Sequence, residues 1–99
     1  MPAKGGGVRL TPRAEADLEE IWLYSFKTWS LEQADRYHTA LVEAFRDLAS
    51  GRKSGRAAEV RAGMFKYPVG SHMLYYRIAE TGLIVIRILH RRMDVGLHL

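Results

Sequence analysis

A chain of 99 residues supports one domain around one core, and at this size only roughly two-thirds of the unfolded surface is buried. Apolar residues make up 47% and charged ones 26%, which excludes a disordered chain, while the absence of cysteine excludes disulfides and thiolate metal sites. The net charge of +4 is unevenly placed: residues 1–50 hold six Lys/Arg against eight Asp/Glu, and residues 51–99 hold nine against three, so a −2 half precedes a +6 half.

Residues 1–7, MPAKGGG, are expected to be a solvated leader, because three consecutive glycines favour no fixed backbone. The domain then runs over residues 8–99. Val8 and Leu10 share one face of a short strand. Thr11 followed by Pro12 starts a helix, since Thr caps orphan N–H groups and Pro at the first position loses no hydrogen bond. Glu15, Asp17, Glu19 and Glu20 favour the positive end of the helix dipole. The stripe Ala14, Leu18, Ile21, Trp22, Ser25 and Trp29 is expected to face the core. Ser30 with Gln33 forms a capping box, so a second helix follows almost at once, carrying Ala34, Tyr37, Leu41, Ala44, Phe45 and Leu48 inward until Gly51.

The polar, basic segment 51–59 reads as a linker. Three strands are then predicted, over 62–69, 72–79 and 83–91; Pro68 places the first near a sheet edge, and two glycine turns join them as hairpins. The order is β-α-α-β-β-β, an α+β class. Closing the last hairpin about Thr81 sets Arg77 opposite Val85, Tyr75 opposite Arg87 and His72 opposite His90. Leu74, Tyr76 and Ile78 with Ile84, Ile86 and Ile88 then cover the helices. Met73, Tyr75, Arg77, Val85, Arg87 and Leu89 fall on the other face, too apolar for solvent and too basic for a core, which suggests a partner surface.

The group His72, Tyr75, Arg77, Arg87, His90, Arg91 and Arg92 is the one constellation able to act on a phosphodiester, with arginines stabilising charge and His90 moving a proton. Ion-paired or solvated strand residues, with Arg87 stacked on Tyr75, are the plainer explanation. Four scattered histidines without close spacing form no metal pattern, and the glycines at 5–7 precede no phosphate-loop lysine; no cofactor is expected. On the first helix Leu23 and Tyr24 point away from the core side and Phe26 lies at its margin, a candidate docking patch. No segment has the apolar length of a secretion signal or a membrane span, so the cytoplasm is the expected location.

The segments LTPRAEADLEEIW, GSHMLYYR and ILHRRMD, in this order and spacing, resemble the ParE toxins of the RelE/ParE superfamily from about Val8 to Asp94. The resemblance implies a RelE-like fold, with an N-terminal strand and a helical hairpin packed on a twisted antiparallel sheet. It implies a toxin of a type II toxin–antitoxin module, neutralised in a hetero-oligomer by a ParD-like antitoxin and inhibiting DNA gyrase without being an enzyme. The alternative is a ribosome-dependent mRNA endonuclease of the RelE type using Arg77, Arg87 and His90, but the ending Asp94 to Leu99 lacks the tyrosine of those ribonucleases. A nucleic-acid-binding module without toxicity ranks last, because no recognition helix or aromatic platform accompanies the charge. The antitoxin is expected on Leu23, Tyr24, Phe26, Met73, Tyr75, Arg77, Arg87 and Leu89. The toxic segment is expected at His90, Arg91, Arg92 and Asp94, with no catalytic residue, no metal, no membrane contact and no specific nucleic-acid binding.

Overall fold

The computed structural model describes residues 7–99. Of the expected leader, residues 1–6 lie outside the described residues, and Gly7 already belongs to a strand. The elements in chain order are β1 (Gly7–Leu10), α1 (Pro12–Thr28), α2 (Leu31–Ser50), β2 (Arg56–Ala57), β3 (Phe65–Val69), β4 (His72–Ala79), β5 (Gly82–His90) and α3 (Val95–His98). Two elements that the sequence pattern does not predict, β2 in the expected linker and α3 in the tail, are only two and four residues long.

Both helix starts follow from their caps. Thr11 accepts the Ala14 N–H at 3.1 Å, and its own hydroxyl donates to the Ile86 carbonyl at 2.8 Å, so the cap also fastens α1 to β5. Ser30 accepts the Gln33 N–H at 3.0 Å, and Gly51 ends α2 in the left-handed conformation at φ 83°. The five strands form one sheet in the order β1-β5-β4-β3-β2. All neighbours are antiparallel except β1, which runs parallel to β5. Gly82 makes that pairing feasible: at φ 153° a side chain there would run into the Gly7 carbonyl. Pro68 lies beyond the short reach of β2, where β3 is the sheet edge and no N–H is needed.

The last hairpin keeps the expected register at its open end, with His72 opposite His90 and Tyr75 opposite Arg87. Toward the turn it shifts by one, so Tyr76 opposes Val85 and Arg77 opposes Ile84 rather than Val85. Ile86 is the extra residue of this bulge, its carbonyl taken by the Thr11 hydroxyl where β1 gives way to α1. The slip turns Leu83 and Val85 toward the helices, where they join Leu41, Phe45, Leu48, Leu74, Tyr76 and Ile88 in the main core. Ile86 turns to the outer face instead, and Ile78 is exposed near the sheet's end.

Two expectations about burial are corrected. Trp29 is not a core residue but the C-cap of α1, 72% exposed, and the buried stripe takes in Asp17 instead. The outer sheet face is not free either. Tyr75 and Leu89 are buried in a second cluster with Ala58 and Met64, against which Met73, Ile86, Val95 and Leu99 pack. The chain covers this face with its own β2–β3 loop and C-terminal turn.

Candidate protein-interaction site

The helical hairpin offers the most open apolar surface. Leu23, Tyr24 and Phe26 are exposed, as the helical wheel predicts, and so are Trp29 and Leu31 at the tip, which the stripe argument missed. Trp22 stacks on Phe26 with ring centroids 5.3 Å apart and donates from Nε1 to the Asp35 carboxylate at 3.0 Å. Beside this pair an open groove of about 400 Å³ runs between α1 and α2, lined by Glu15, Leu18, Glu19, Trp22, Asp35 and His38. Residues 12–50 carry four Lys/Arg and eight Asp/Glu. The helical layer is thus acidic and apolar, and most basic residues follow it, in the segment between α2 and β3, on the strands and in the C-terminal segment.

Arg87, expected to meet the antitoxin, is committed within the fold, as the plainer ion-paired explanation has it, with Asp17 as the partner. Its Nε and Nη2 donate to the two oxygens of Asp17 at 2.8 and 2.9 Å, and the same carboxylate accepts the Ile88 N–H at 2.9 Å. Asp17 thereby serves the stretch of β5 that β1 is too short to reach. The pair is nearly buried, with side chains 14% and 11% exposed, and the hydrogen bond to Asp17 raises the guanidinium's pKa above its ordinary value. Of the eight residues expected to meet an antitoxin, Leu23, Tyr24, Phe26 and Arg77 are exposed. Met73 is half-buried, Tyr75 and Leu89 are buried, and Arg87 is paired.

The expected toxic segment is largely on the surface. Arg91, Arg92, Met93 and Asp94 are exposed, while His90 is half-buried. Asp94 acts locally as a cap, accepting the Gly96 N–H at 3.0 Å at the start of α3. His90 turns toward the helix side, its ring edge-on to His72 at 5.4 Å, and its Nδ1 accepts the Arg92 N–H at 3.2 Å. The Tyr37 hydroxyl donates to the Val69 carbonyl and accepts the Ser71 N–H, so His72 Nδ1, 2.7 Å away, is the donor of that contact.

Burial, reinforced by the neighbouring charge of His90 and opposed by Asp17, lowers the His72 pKa below 6.5. A histidine held neutral in the fold binds its proton more readily when unfolded, so stability falls as pH drops below 6.5 and levels off beneath the folded-state value. Melting temperatures at pH 7.5 and 5.5 are expected to show the drop, and His72→Gln to reduce it.

The ribonuclease set does not assemble. Arg77 stands on the outer side of the sheet with Tyr75, His90 faces His72 on the helix side, and the charge of Arg87 is answered by Asp17. Among the described residues no three His, Cys, Asp or Glu side chains gather as metal ligands, and no helix is long and apolar enough to cross a membrane.

Residues 8–95 match the family model described as the ParE toxin of the type II toxin–antitoxin system parDE. The chain belongs to the ParE toxin family. It is 44% identical over 92 residues to toxin ParE1 of Mycobacterium tuberculosis, covering 91% of this chain and 94% of that protein. With toxin ParE1 of Caulobacter vibrioides it shares 38% identity, covering 92% and 95%. The fold matches a chain of the chromosomal ParDE system from P. aeruginosa at TM-score 0.74 and 20% identity, covering 85% of this chain and 94% of that one. A chain of the toxin–antitoxin complex RelBE2 from Mycobacterium tuberculosis matches at TM-score 0.61 and 29% identity, covering 92% and 100%. The chain is accordingly a type II toxin–antitoxin toxin with a RelE-like fold.

Proposed function

We propose that this toxin acts by binding a protein, DNA gyrase, rather than by cutting RNA, and that a ParD-like antitoxin silences it. The observation that carries the non-enzymatic reading is the commitment of Arg87 to Asp17, because a guanidinium already neutralised by a carboxylate is a poor stabiliser of a phosphorane. The separation of Arg77 from His90 by the sheet supports the same reading.

The antitoxin docks on the helical hairpin, where Leu23, Tyr24 and Phe26 offer apolar area, and its acidic residues reach Arg77 at the open edge of the outer face. Met73, Tyr75 and Leu89 join that interface only as the floor beneath Val95 and Leu99. The target meets the segment from His90 to Asp94, where the exposed basic residues Arg91 and Arg92 lie. The toxin works in the cytoplasm, where gyrase is found.

Expression without antitoxin tests the reading. Double-strand DNA breaks and an SOS response, with transcripts intact, are expected. Early cleavage of messages within coding frames would contradict it and restore the ribonuclease alternative.

A further inference from the structure

Arg87 stands at a junction of three parts of the chain. Two of its nitrogens hold Asp17 of α1, and the third, Nη1, donates to the carbonyl of His98 at 3.1 Å. That last bond reaches the C-terminal turn. α3 has four residues, far below the length at which a helix sustains itself in water. What holds it is the Asp94 cap, the Arg87 bond to His98, and Val95 and Leu99 packed against the cluster of Tyr75 and Leu89. With these inward contacts made, Leu97 projects 81% exposed and Met93 48% exposed, beside the exposed Arg91 and Arg92.

We infer that Arg87 is a positioning residue for toxicity: anchored by Asp17, it holds the C-terminal turn in a preformed shape that presents Met93 and Leu97, flanked by Arg91 and Arg92, to an apolar pocket with an acidic rim on the target protein. The inference rests on the reading that the C-terminal segment meets the target. A segment already ordered before binding spends none of the interaction energy on ordering itself, so its shape raises affinity without adding a contact. The mixture of side chains selects a protein over a nucleic acid. A phosphate backbone would engage the arginines but leave Met93 and Leu97 in water, whereas an acid-rimmed apolar pocket engages both kinds. The ion pair has a further virtue as an anchor, since it is shielded from solvent and therefore less sensitive to salt than a surface pair.

The test pairs growth arrest on induction with amide hydrogen exchange in the purified full chain. In Arg87→Lys a single ammonium stays with Asp17 and cannot also fork to His98. Exchange at the Leu97 and Leu99 amides, bonded to the Asp94 and Val95 carbonyls, is expected to accelerate while the Ile88 amide stays protected. Toxic potency is expected to fall roughly tenfold, the cost of ordering a short segment anew. Leu99→Ala loosens the same turn without touching the ion pair and serves if Arg87→Lys fails to fold. Leu97→Ala is expected to lower potency to about the same degree with exchange unchanged, as loss of a contact anchor does.

Each other outcome has a definite meaning. If the turn loosens in Arg87→Lys and Leu99→Ala but potency stays full while Leu97→Ala loses it, the positioning role is overturned and the contact reading stands. If exchange at Leu97 and Leu99 is unchanged in Arg87→Lys, the positioning role is overturned as well. If Met93→Ala and Leu97→Ala stay fully toxic while Arg91→Ala with Arg92→Ala does not, the partner is a phosphate backbone and the apolar pocket is wrong. If removal of residues 91–99 leaves full toxicity, the contact reading itself fails, and the inference with it.

Discussion

Asp17→Ala is expected to destabilise the fold by about 3–5 kcal/mol, the cost of leaving a buried cation without its partner. That is a large share of the about 5–15 kcal/mol that holds a typical domain together, so the variant should be unfolded or nearly so at 37 °C. The carboxylate makes three hydrogen bonds with good geometry: two to the Arg87 guanidinium and one to the Ile88 N–H. Alanine would strand all three donors at a point where β5 has a strand on its β4 side alone, β1 having ended at Leu10. A surface ion pair would behave differently, at about 0–1 kcal/mol, and the i,i+4 pair of Arg36 with Glu32 is of that kind. The double variant Asp17→Leu with Arg87→Met should recover much of the loss, because replacing both charges removes the desolvation penalty as well as the attraction. Urea unfolding measures both. A single variant within 1 kcal/mol of the parent would show that water substitutes for the carboxylate at this edge.

Phe45→Ala is the second large effect, expected at about 3–5 kcal/mol, because the ring is 2% exposed at the centre of the helix-facing core and its removal leaves a cavity that its neighbours fill only in part. Trp29→Ala should cost less than about 0.5 kcal/mol despite removing a larger ring, since Trp29 stands in solvent at the end of α1. The comparison separates burial from size. A loss at Trp29 matching that at Phe45 would mean the hairpin tip is packed in solution, against its exposure in this structure.

The helices were legible because their signals are local and redundant. Thr11 with Pro12, Ser30 with Gln33, and Gly51 mark three ends within a few residues, and the apolar stripe of α2 admits a single orientation. The α+β class, the strand order along the chain and the RelE-like arrangement were equally legible, with the parallel pairing of β1 to β5 as a detail the short strand did not announce. The register of the last hairpin was legible only at one end. In β5 nearly every residue from Leu83 to Leu89 is apolar, so alternation carries little information there, and a one-residue slip at Ile86 leaves no trace in the pattern.

The exposure of the residues expected to meet a partner was legible only in part, for a related reason. Leu23, Tyr24 and Phe26 are exposed because the helical period fixes their direction. The outer sheet face looked unsatisfied because its covers, Met64, Val95 and Leu99, come from a loop and a single turn whose geometry no period encodes. Asp17 and Arg87 are 70 residues apart, and their pairing is a product of the tertiary fold. One clue was present: position 17 lies in the same helical stripe as Ala14 and Ile21, and a carboxylate inside an apolar stripe calls for a buried partner. Asp94 carried a similar clue, as an Asx cap two residues before a glycine.

The division of charge acquires a structural meaning from these placements. The acidic helices and the basic later part of the chain are separate segments, and under the function proposed above the antitoxin takes the hairpin and the target the C-terminal segment. What the C-terminal segment meets decides how this toxin acts. DNA gyrase, relaxed plasmid and ATP, titrated with the purified chain, test this most directly. The account predicts that supercoiling is lost in proportion to added toxin, and that messenger RNA on ribosomes stays whole at the same concentrations; undiminished supercoiling together with cut message would contradict it.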